Sequence, residues 1–252
     1  MKSIRCGRGL GDSLYLQAVV RHLLLKGGLS MRVASDYPDV FLSLGKRVQV
    51  ISFTRRVDIT AHYVTRKAIT TTTQFQDCCI RAGIEEPAEL RLDWTITNPG
   101  LHAKIRETGK PVLVVQMPRS PMGRTDGFGK TLLPDCRALQ LLLDQHRDTH
   151  HLVQIGAGQP LFRLRGLHHD MANKTSVAEL IDIVHAADEC LGYPSFLVPL
   201  AESLGKPALF VWSARGLRDG QQFIRAITPQ KLLHKASSRC VVDEEVLTHA
   251  VA

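Results

Sequence analysis

Gly7-Arg8-Gly9-Leu10-Gly11-Asp12 places glycine at every second position ahead of an acidic residue. The residues before it, Lys2–Cys6, are typical of a short strand. Those after it, Ser13–Leu25, have apolar residues at helical spacing and precede the helix stop Gly27-Gly28. We therefore predict a strand, a glycine-rich turn and a helix. The glycines would permit positive φ and close approach of a ligand, which would face the free N–H groups of the helix start.

Asp12 stands where this turn meets the helix, and two roles are open to it. Aspartate is among the best N-cap residues, because its carboxylate accepts hydrogen bonds from the first helical N–H groups. A carboxylate exposed in a cleft could instead act as a general base. The glycine spacing differs from the G-x-G-x-x-G fingerprint, so a dinucleotide site is not favoured.

Composition and charge restrict the class of protein. The 252 residues carry a formal net charge of +8, which favours an anionic partner such as a nucleotide diphosphate, a nucleic acid or an acidic membrane surface. No apolar run is long enough to span a bilayer, and the early glycine loop leaves no room for a signal peptide. The six cysteines form no C-x-x-C pair, which fits reduced thiols in the cytoplasm.

The chain divides into two series of alternating strands and helices, separated at Gly109-Lys110-Pro111. Such alternation predicts parallel sheets covered by helices, and we place the domains at 1–108 and 109–252. The expected strands are 2–6, 31–35, 48–53, 62–64, 112–116, 151–155, 190–192 and 207–212, and the expected helices are 13–25, 38–44, 74–82, 132–145, 176–187 and 195–204.

Several other patterns suggest chemistry. The segment Gly123–Thr131 misses the P-loop spacing by one residue, which leaves Lys130 as a phosphate-binding lysine of another kind or as a solvated one. His150-His151 and His168-His169 do not predict a zinc site, because neighbours in a strand point to opposite faces. Ser195 opens a helix after a buried strand, where it could cap the helix, bind an anion, or both.

Together these pieces resemble the heptosyltransferase-like group, glycosyltransferase family 9, whose GT-B fold has two Rossmann-like domains facing across a cleft. The resemblance lies in the opening loop and first helix, a Lys-x-x-x-Pro segment, and a long run near the C-terminus. The matching stretches are Gly9–Leu14, Gly129–Pro134, Gly156–Gly158, Asn173–Leu180, His185–Asp188 and Leu200–Pro207.

The resemblance implies an inverting glycosyltransferase that moves a sugar, heptose being one candidate, from a nucleotide diphosphate-sugar to a hydroxyl of a glycan or lipopolysaccharide-type acceptor. It implies Asp12 as catalytic base and no cofactor or metal. The enzyme would be cytoplasmic, either free or peripheral at the inner face of the membrane. The acceptor-side loop would contain Gly9 and Gly11, and the donor-binding set would be Arg119, Ser120, Lys130, Gly156, Gly158, Gln159 and Ser195.

The chain also departs from the family's pattern. Pro199 stands in place of a histidine on the donor-binding helix, and Gln159 stands where an acidic ribose ligand is usual. Two alternatives are therefore kept. One is a glycosyltransferase with DNA as its acceptor, which the net charge would favour. The other is a protein that binds a nucleotide-sugar without turnover.

Overall fold

A computed structural model of the chain describes residues 1–28, 30–63, 72–119, 133–218 and 228–250. It contains two separate parallel sheets flanked by helices, which confirms the predicted α/β class. Among these residues, no helix combines the length and apolarity needed to cross a bilayer.

The first sheet has the strand order β3-β2-β1-β4, and every pairing in it is parallel. A 3₁₀ helix, Pro38–Arg47, replaces the short helical turn expected after the second strand. The elements of this half are β1 (Lys2–Arg5), α1 (Leu10–Gly27), β2 (Met31–Ala34), β3 (Val48–Ile51), β4 (Ile59–Thr60) and α2 (Gln74–Arg81).

The second sheet has the order β10-β9-β8-β5-β6-β7, again with parallel pairs throughout. All residues of β5 and β6 are buried, as expected for central strands covered on both faces. The elements are α3 (Pro99–Ile105), β5 (Val112–Gln116), α4 (Cys136–Asp144), β6 (His151–Ile155), β7 (His169–Asp170), α5 (Val177–Ala186), β8 (Glu189–Gly192), α6 (Leu197–Ser203), β9 (Ala208–Trp212), α7 (Ala214–Arg218), α8 (Pro229–Leu232), β10 (Ser238–Val242) and α9 (Asp243–His249).

Most boundaries differ from the predicted ones by a few residues, and three elements differ more. Helix α4 begins at Cys136 rather than 132, because the carboxylate of Asp135 accepts from the Arg137 N–H and caps the helix there. Strand β4 lies at 59–60 rather than 62–64. The prediction missed α3, although Asn98 caps it and Pro99 opens it.

The segment that joins the two halves is held by one carboxylate of the second half. Asp182 of α5 is fully buried and accepts from Trp94 Nε1 at 2.7 Å, Thr97 Oγ1 at 2.6 Å and the Asn98 N–H at 2.7 Å. Burial alone would raise the pKa of Asp182, but the hydrogen bonds from Thr97 and Trp94 lower it below its ordinary value. We call residues 94–98 the strap. These contacts fasten the strap to α5, and the domain boundary at 108/109 stays a prediction.

The two halves also share one apolar core. Helix α1 is buried along most of its length and packs against α6 of the second half. Side chains from both sheets belong to the same buried cluster, including Ile4, Val33, Val114 and Phe210. The N-terminal ends of α1 and α6 consequently lie close together, which brings the glycine loop into contact with the second half.

Candidate functional site

The glycine loop presents Asp12 from the first turn of α1. The helix begins at Leu10 with Gly9 as N-cap, so Asp12 is the third helical residue rather than the cap itself. Its Oδ2 reaches back and accepts from the Gly9 N–H at 2.9 Å. This is half of a capping box, and it fixes the position of the carboxylate.

Gly7 and Gly9 lie so close to this carboxylate that a side chain at either position would crowd it. A Cβ on Gly7 would lie 2.3 Å from Asp12 Oδ2, and one on Gly9 would lie 3.0 Å from the same atom. The expected positive φ is wrong for this loop, because Gly7, Gly9 and Gly11 are not among the residues that adopt it. The close approach that the structure shows is that of Asp12, and the approach of a ligand stays a prediction.

The pKa of Asp12 is raised above its ordinary value. Burial is the main cause, and the Gly9 N–H, the charge of His62 and the Tyr63 hydroxyl partly offset it. A helix start by itself lowers the pKa of a nearby carboxyl, but here burial outweighs that effect. Burial also lowers the pKa of His62, against the opposing effect of Asp12. A raised pKa makes the carboxylate a stronger base once it is ionised.

Polar groups that the sequence did not single out surround Asp12. The Cys6 thiol lies 4.0 Å from Asp12 Oδ1 and 3.9 Å from the thiol of Cys78. The Tyr15 hydroxyl is buried and, among the residues described, has no hydrogen-bond partner. The sequence could have indicated Tyr15, because it lies three residues after Asp12 and residues three apart share a helix face.

A cavity of about 230 Å³ joins Asp12 to the second half. Its walls include Asp12, Tyr15 and Tyr63 from the first half and Ser195 and Pro199 from the second. Gly11 allows this approach, because a Cβ there would lie 3.3 Å from Pro199 Cγ. The structure therefore brings together Asp12, Gly11 and Ser195 of the predicted site.

Ser195 lies just before α6, whose N-cap is Phe196 rather than Ser195. Its hydroxyl donates to Gln116 Oε1 at 2.5 Å and accepts from the Leu197 N–H at 3.2 Å. The side chain thus performs the predicted capping function from one position earlier. Its predicted role toward the donor stays a prediction.

The glycine turn after β6 lies at the carboxyl end of the second sheet. Gly156 and Gly158 both have positive φ, at 140° and 104°. Asn173 closes the turn by accepting from the Gly158 N–H at 2.6 Å and donating to its carbonyl at 3.0 Å. Arg119, which follows β5, donates to the Ala157 carbonyl at 2.8 Å. Arg119, Gly156 and Gly158 therefore form one group.

Three further predicted donor residues remain, namely Gln159, Ser120 and Lys130. Gln159 is exposed beside the glycine turn. Ser120 and Lys130 lie outside the described residues, as does the segment Gly123–Thr131. Their roles stay predictions.

A larger cavity of about 540 Å³ lies beside the strap and the 3₁₀ helix. Among the charged groups in its wall, Asp93 is paired with Arg21 at 2.7 Å and with Arg91 at 3.3 Å. Charges already paired within the protein are less available to a ligand. The smaller cavity at Asp12 is therefore the better candidate site.

No protein-family model and no curated protein matches the sequence. Solved structures do match. The glycosyl transferase family 9 protein of Veillonella parvula DSM 2008 aligns with a TM-score of 0.61 at 9% identity, covering 99% of this chain and 89% of that one. E. coli heptosyltransferase WaaC with ADP gives 0.60 at 9% identity, covering 100% and 99%. E. coli ADP-heptose lps heptosyltransferase II gives 0.55 at 12% identity, covering 96% and 90%. The chain therefore has the GT-B fold of the heptosyltransferases, as the resemblance in its sequence implied.

Proposed function

We propose that the chain is an inverting glycosyltransferase that uses a nucleotide diphosphate-sugar as donor and a hydroxyl as acceptor. One observation carries this proposal. A half-buried carboxylate with a raised pKa, Asp12, is held by a backbone N–H in the wall of a cavity between the two halves of a GT-B fold. A base for acceptor activation needs this combination of fixed position and basicity.

Asp12 would accept the proton of the acceptor hydroxyl as the acceptor oxygen attacks the anomeric carbon of the donor. The bond from that carbon to the diphosphate oxygen breaks on the opposite face, so the configuration inverts. The nucleotide diphosphate leaves with the bonding electron pair. Charge-assisted contacts to the diphosphate would lower the barrier, and Lys130 is the side chain that we assign to them. No metal is required in this scheme.

The donor would lie along the carboxyl end of the second sheet, over Gly156 and Gly158. Glycines in such a turn let a ligand approach the backbone closely, and ligands of open α/β sheets bind at the carboxyl ends of the strands. WaaC is known with ADP, so ADP-heptose is the first donor to test. A glycan or lipid-linked acceptor would enter from the first half, past the loop that contains Gly9 and Gly11. DNA remains the alternative acceptor.

A second function, binding of a nucleotide-sugar without turnover, is favoured by one feature of the cavity. Pro199 packs against Gly11, and the hydroxyl of Ser195 is already engaged with Gln116 and Leu197. These contacts leave fewer free donors for the departing diphosphate at this point. Measured turnover separates the two functions.

The deciding experiment compares the parent with Asp12→Asn. Asparagine keeps the shape and can still accept from the Gly9 N–H, but it cannot take a proton. If Asp12 is the base, kcat should fall by about 10²–10⁴-fold while donor affinity in calorimetry is unchanged. Because the folded pKa of Asp12 is raised, its ionised form costs stability above that pKa, and the variant should melt at the same temperature or higher.

Asp58→Asn is a matched control, since Asp58 also accepts from a backbone N–H, that of Ser3 at 2.7 Å, at the other end of β1. The control should keep its kcat. A folded Asp12→Asn protein with the parent's kcat would end the catalytic assignment. Donor binding without release of nucleotide, against a panel of glycan, lipid-linked and DNA acceptors, would favour the binding function.

A further inference from the structure

Three groups with the chemistry of metal ligands converge at the amino end of the second sheet. One imidazole nitrogen each of His146 and His150 and one carboxylate oxygen of Glu189 lie within 4.8 Å of one another. We call this group the His-His-Glu cluster. Among the residues that the structure describes, these are the three side chains of this kind that lie close enough together to bind one ion.

The backbone places the two histidines side by side. Residues 146–150 form a turn after α4, in which the His150 N–H donates to the His146 carbonyl at 2.9 Å. Residues four apart in such a turn lie on the same side. Their Nδ1 atoms are consequently only 3.3 Å apart. Two nitrogens bound to one tetrahedral zinc ion at about 2.0–2.1 Å would lie at a similar distance from each other.

The sequence pattern did not predict this site, because the histidine pairs that stand out in it are adjacent residues. For the other pair the argument that neighbours face opposite ways is wrong, because the His151 ring stacks on His168 at 5.0 Å and meets His169 edge-on at 4.9 Å. The partner of His150 is His146, and the third group comes from the first residue of β8. Only the fold brings Glu189 to this turn.

A neighbouring hydroxyl positions one of the two rings. The Thr149 hydroxyl lies 2.8 Å from His150 Nδ1, so it can hold that ring in place when no ion is bound. A hydrogen bond between the two rings would account for their spacing, but not for the carboxylate beside them.

We propose that the His-His-Glu cluster binds a divalent transition-metal ion of the zinc class, with solvent completing the coordination. Two imidazoles and one carboxylate form a ligand set that zinc uses when one position stays open. Copper and nickel also favour imidazole, whereas calcium and magnesium favour oxygen ligands. The ion would fasten the turn after α4 to β8.

This site is independent of the proposed transfer reaction. Glu189 begins β8, whereas Ser195 and the cavity at Asp12 follow the carboxyl end of that strand. The two sites therefore lie at opposite ends of the strands of the second sheet. Loss of the ion should lower the melting temperature without abolishing transfer.

The test is calorimetric titration of ZnCl₂ into the metal-free full chain, with Glu189→Gln and His150→Ala as site variants. The parent should bind one ion, and each variant should bind at least about tenfold more weakly, since even outer-shell changes cost 10–100-fold. His102→Ala is a matched control, because His102 and His185 form another imidazole pair, 3.5 Å apart, without a third ligand among the described residues. The control should bind zinc as the parent does.

Melting curves without metal establish that each variant folds. Cobalt substitution adds a spectroscopic check, because binding at this cluster should give no thiolate charge-transfer band. Absence of stoichiometric binding, or binding that survives in both site variants, would overturn the proposal. A thiolate band that also appears in Glu189→Gln would overturn it too, since it would place the ion on the cysteines.

Discussion

Under the proposed function, Gly7→Ala should slow the transfer reaction while leaving the protein folded. The new Cβ would lie 2.3 Å from Asp12 Oδ2, 2.5 Å from Cγ and 2.8 Å from Oδ1. Alanine fits the backbone, because Gly7 is not among the residues with positive φ. The strain therefore acts on the carboxylate, which must move by about 1 Å to restore ordinary contact.

A shift of this size has a predictable effect. A reacting group misplaced by about 1 Å costs on the order of 10²-fold in rate. Loss of the hydrogen bond from Gly9 would cost about 0.5–1.5 kcal/mol of stability. Replacing glycine by alanine restricts the unfolded chain and returns about 0.4–1 kcal/mol. We therefore expect kcat to fall about 100-fold with little change in melting temperature.

The assay is the initial rate of nucleotide diphosphate release at saturating donor and acceptor, beside a melting curve for each protein. Gly27→Ala is the matched control, since it lies at the other end of α1 and a Cβ there would meet nothing within 4 Å. It should retain the parent's rate. A folded Gly7→Ala protein with the kcat of the control would refute the argument that the placement of Asp12 limits the reaction.

Further outcomes are expected for the donor site, the proposed base and the strap. Lys130→Ala should weaken donor binding in calorimetry by about 1.5–3 kcal/mol, and EDTA should leave the transfer rate unchanged. At low substrate concentration the rate should rise with pH and level off above the pKa of Asp12 in the protein without substrate, because only the ionised carboxylate accepts a proton. The midpoint should lie above the ordinary carboxyl pKa of 3.8. Asp182→Ala should cost more than about 3 kcal/mol in denaturant unfolding, because several buried donors lose their acceptor. The lowered pKa of Asp182 means that its contribution is complete above about pH 4 and is lost as the pH falls toward the folded pKa, so an acid titration of stability in parent and variant checks the sign.

The strand and helix pattern of the sheets could be predicted because it depends on local signals. Val112–Gln116 is an almost continuous apolar run, and His151–Ile155 is a segment of strand length that ends at a glycine turn. Both strands have these bounds in the structure. Ser176 and Glu179 form the capping box that their spacing indicates. Weakly patterned elements such as β7, with two residues, carried no such signal.

The electrostatics of the site could not be predicted, because they depend on contacts between distant residues. The helix start at Asp12 is visible in the sequence, but its burial by the second half is not, and burial decides the direction of the pKa shift. The thiol of Cys78 likewise reaches Cys6 only after folding. Glu189 reaches the histidine turn for the same reason.

The strap determines how the protein would behave if the chain were cut into two fragments. Helix α3 packs on α5, and the Arg106 side chain donates to the Ala186 carbonyl. Contacts between this segment and the second half therefore continue beyond residue 98. Only after this does the chain reach the exposed turn at 107–110. A protease that cuts this turn would leave an N-terminal fragment whose last residues, the strap and α3, still bind the second half. The nicked protein would migrate as one species under native conditions and as two in detergent.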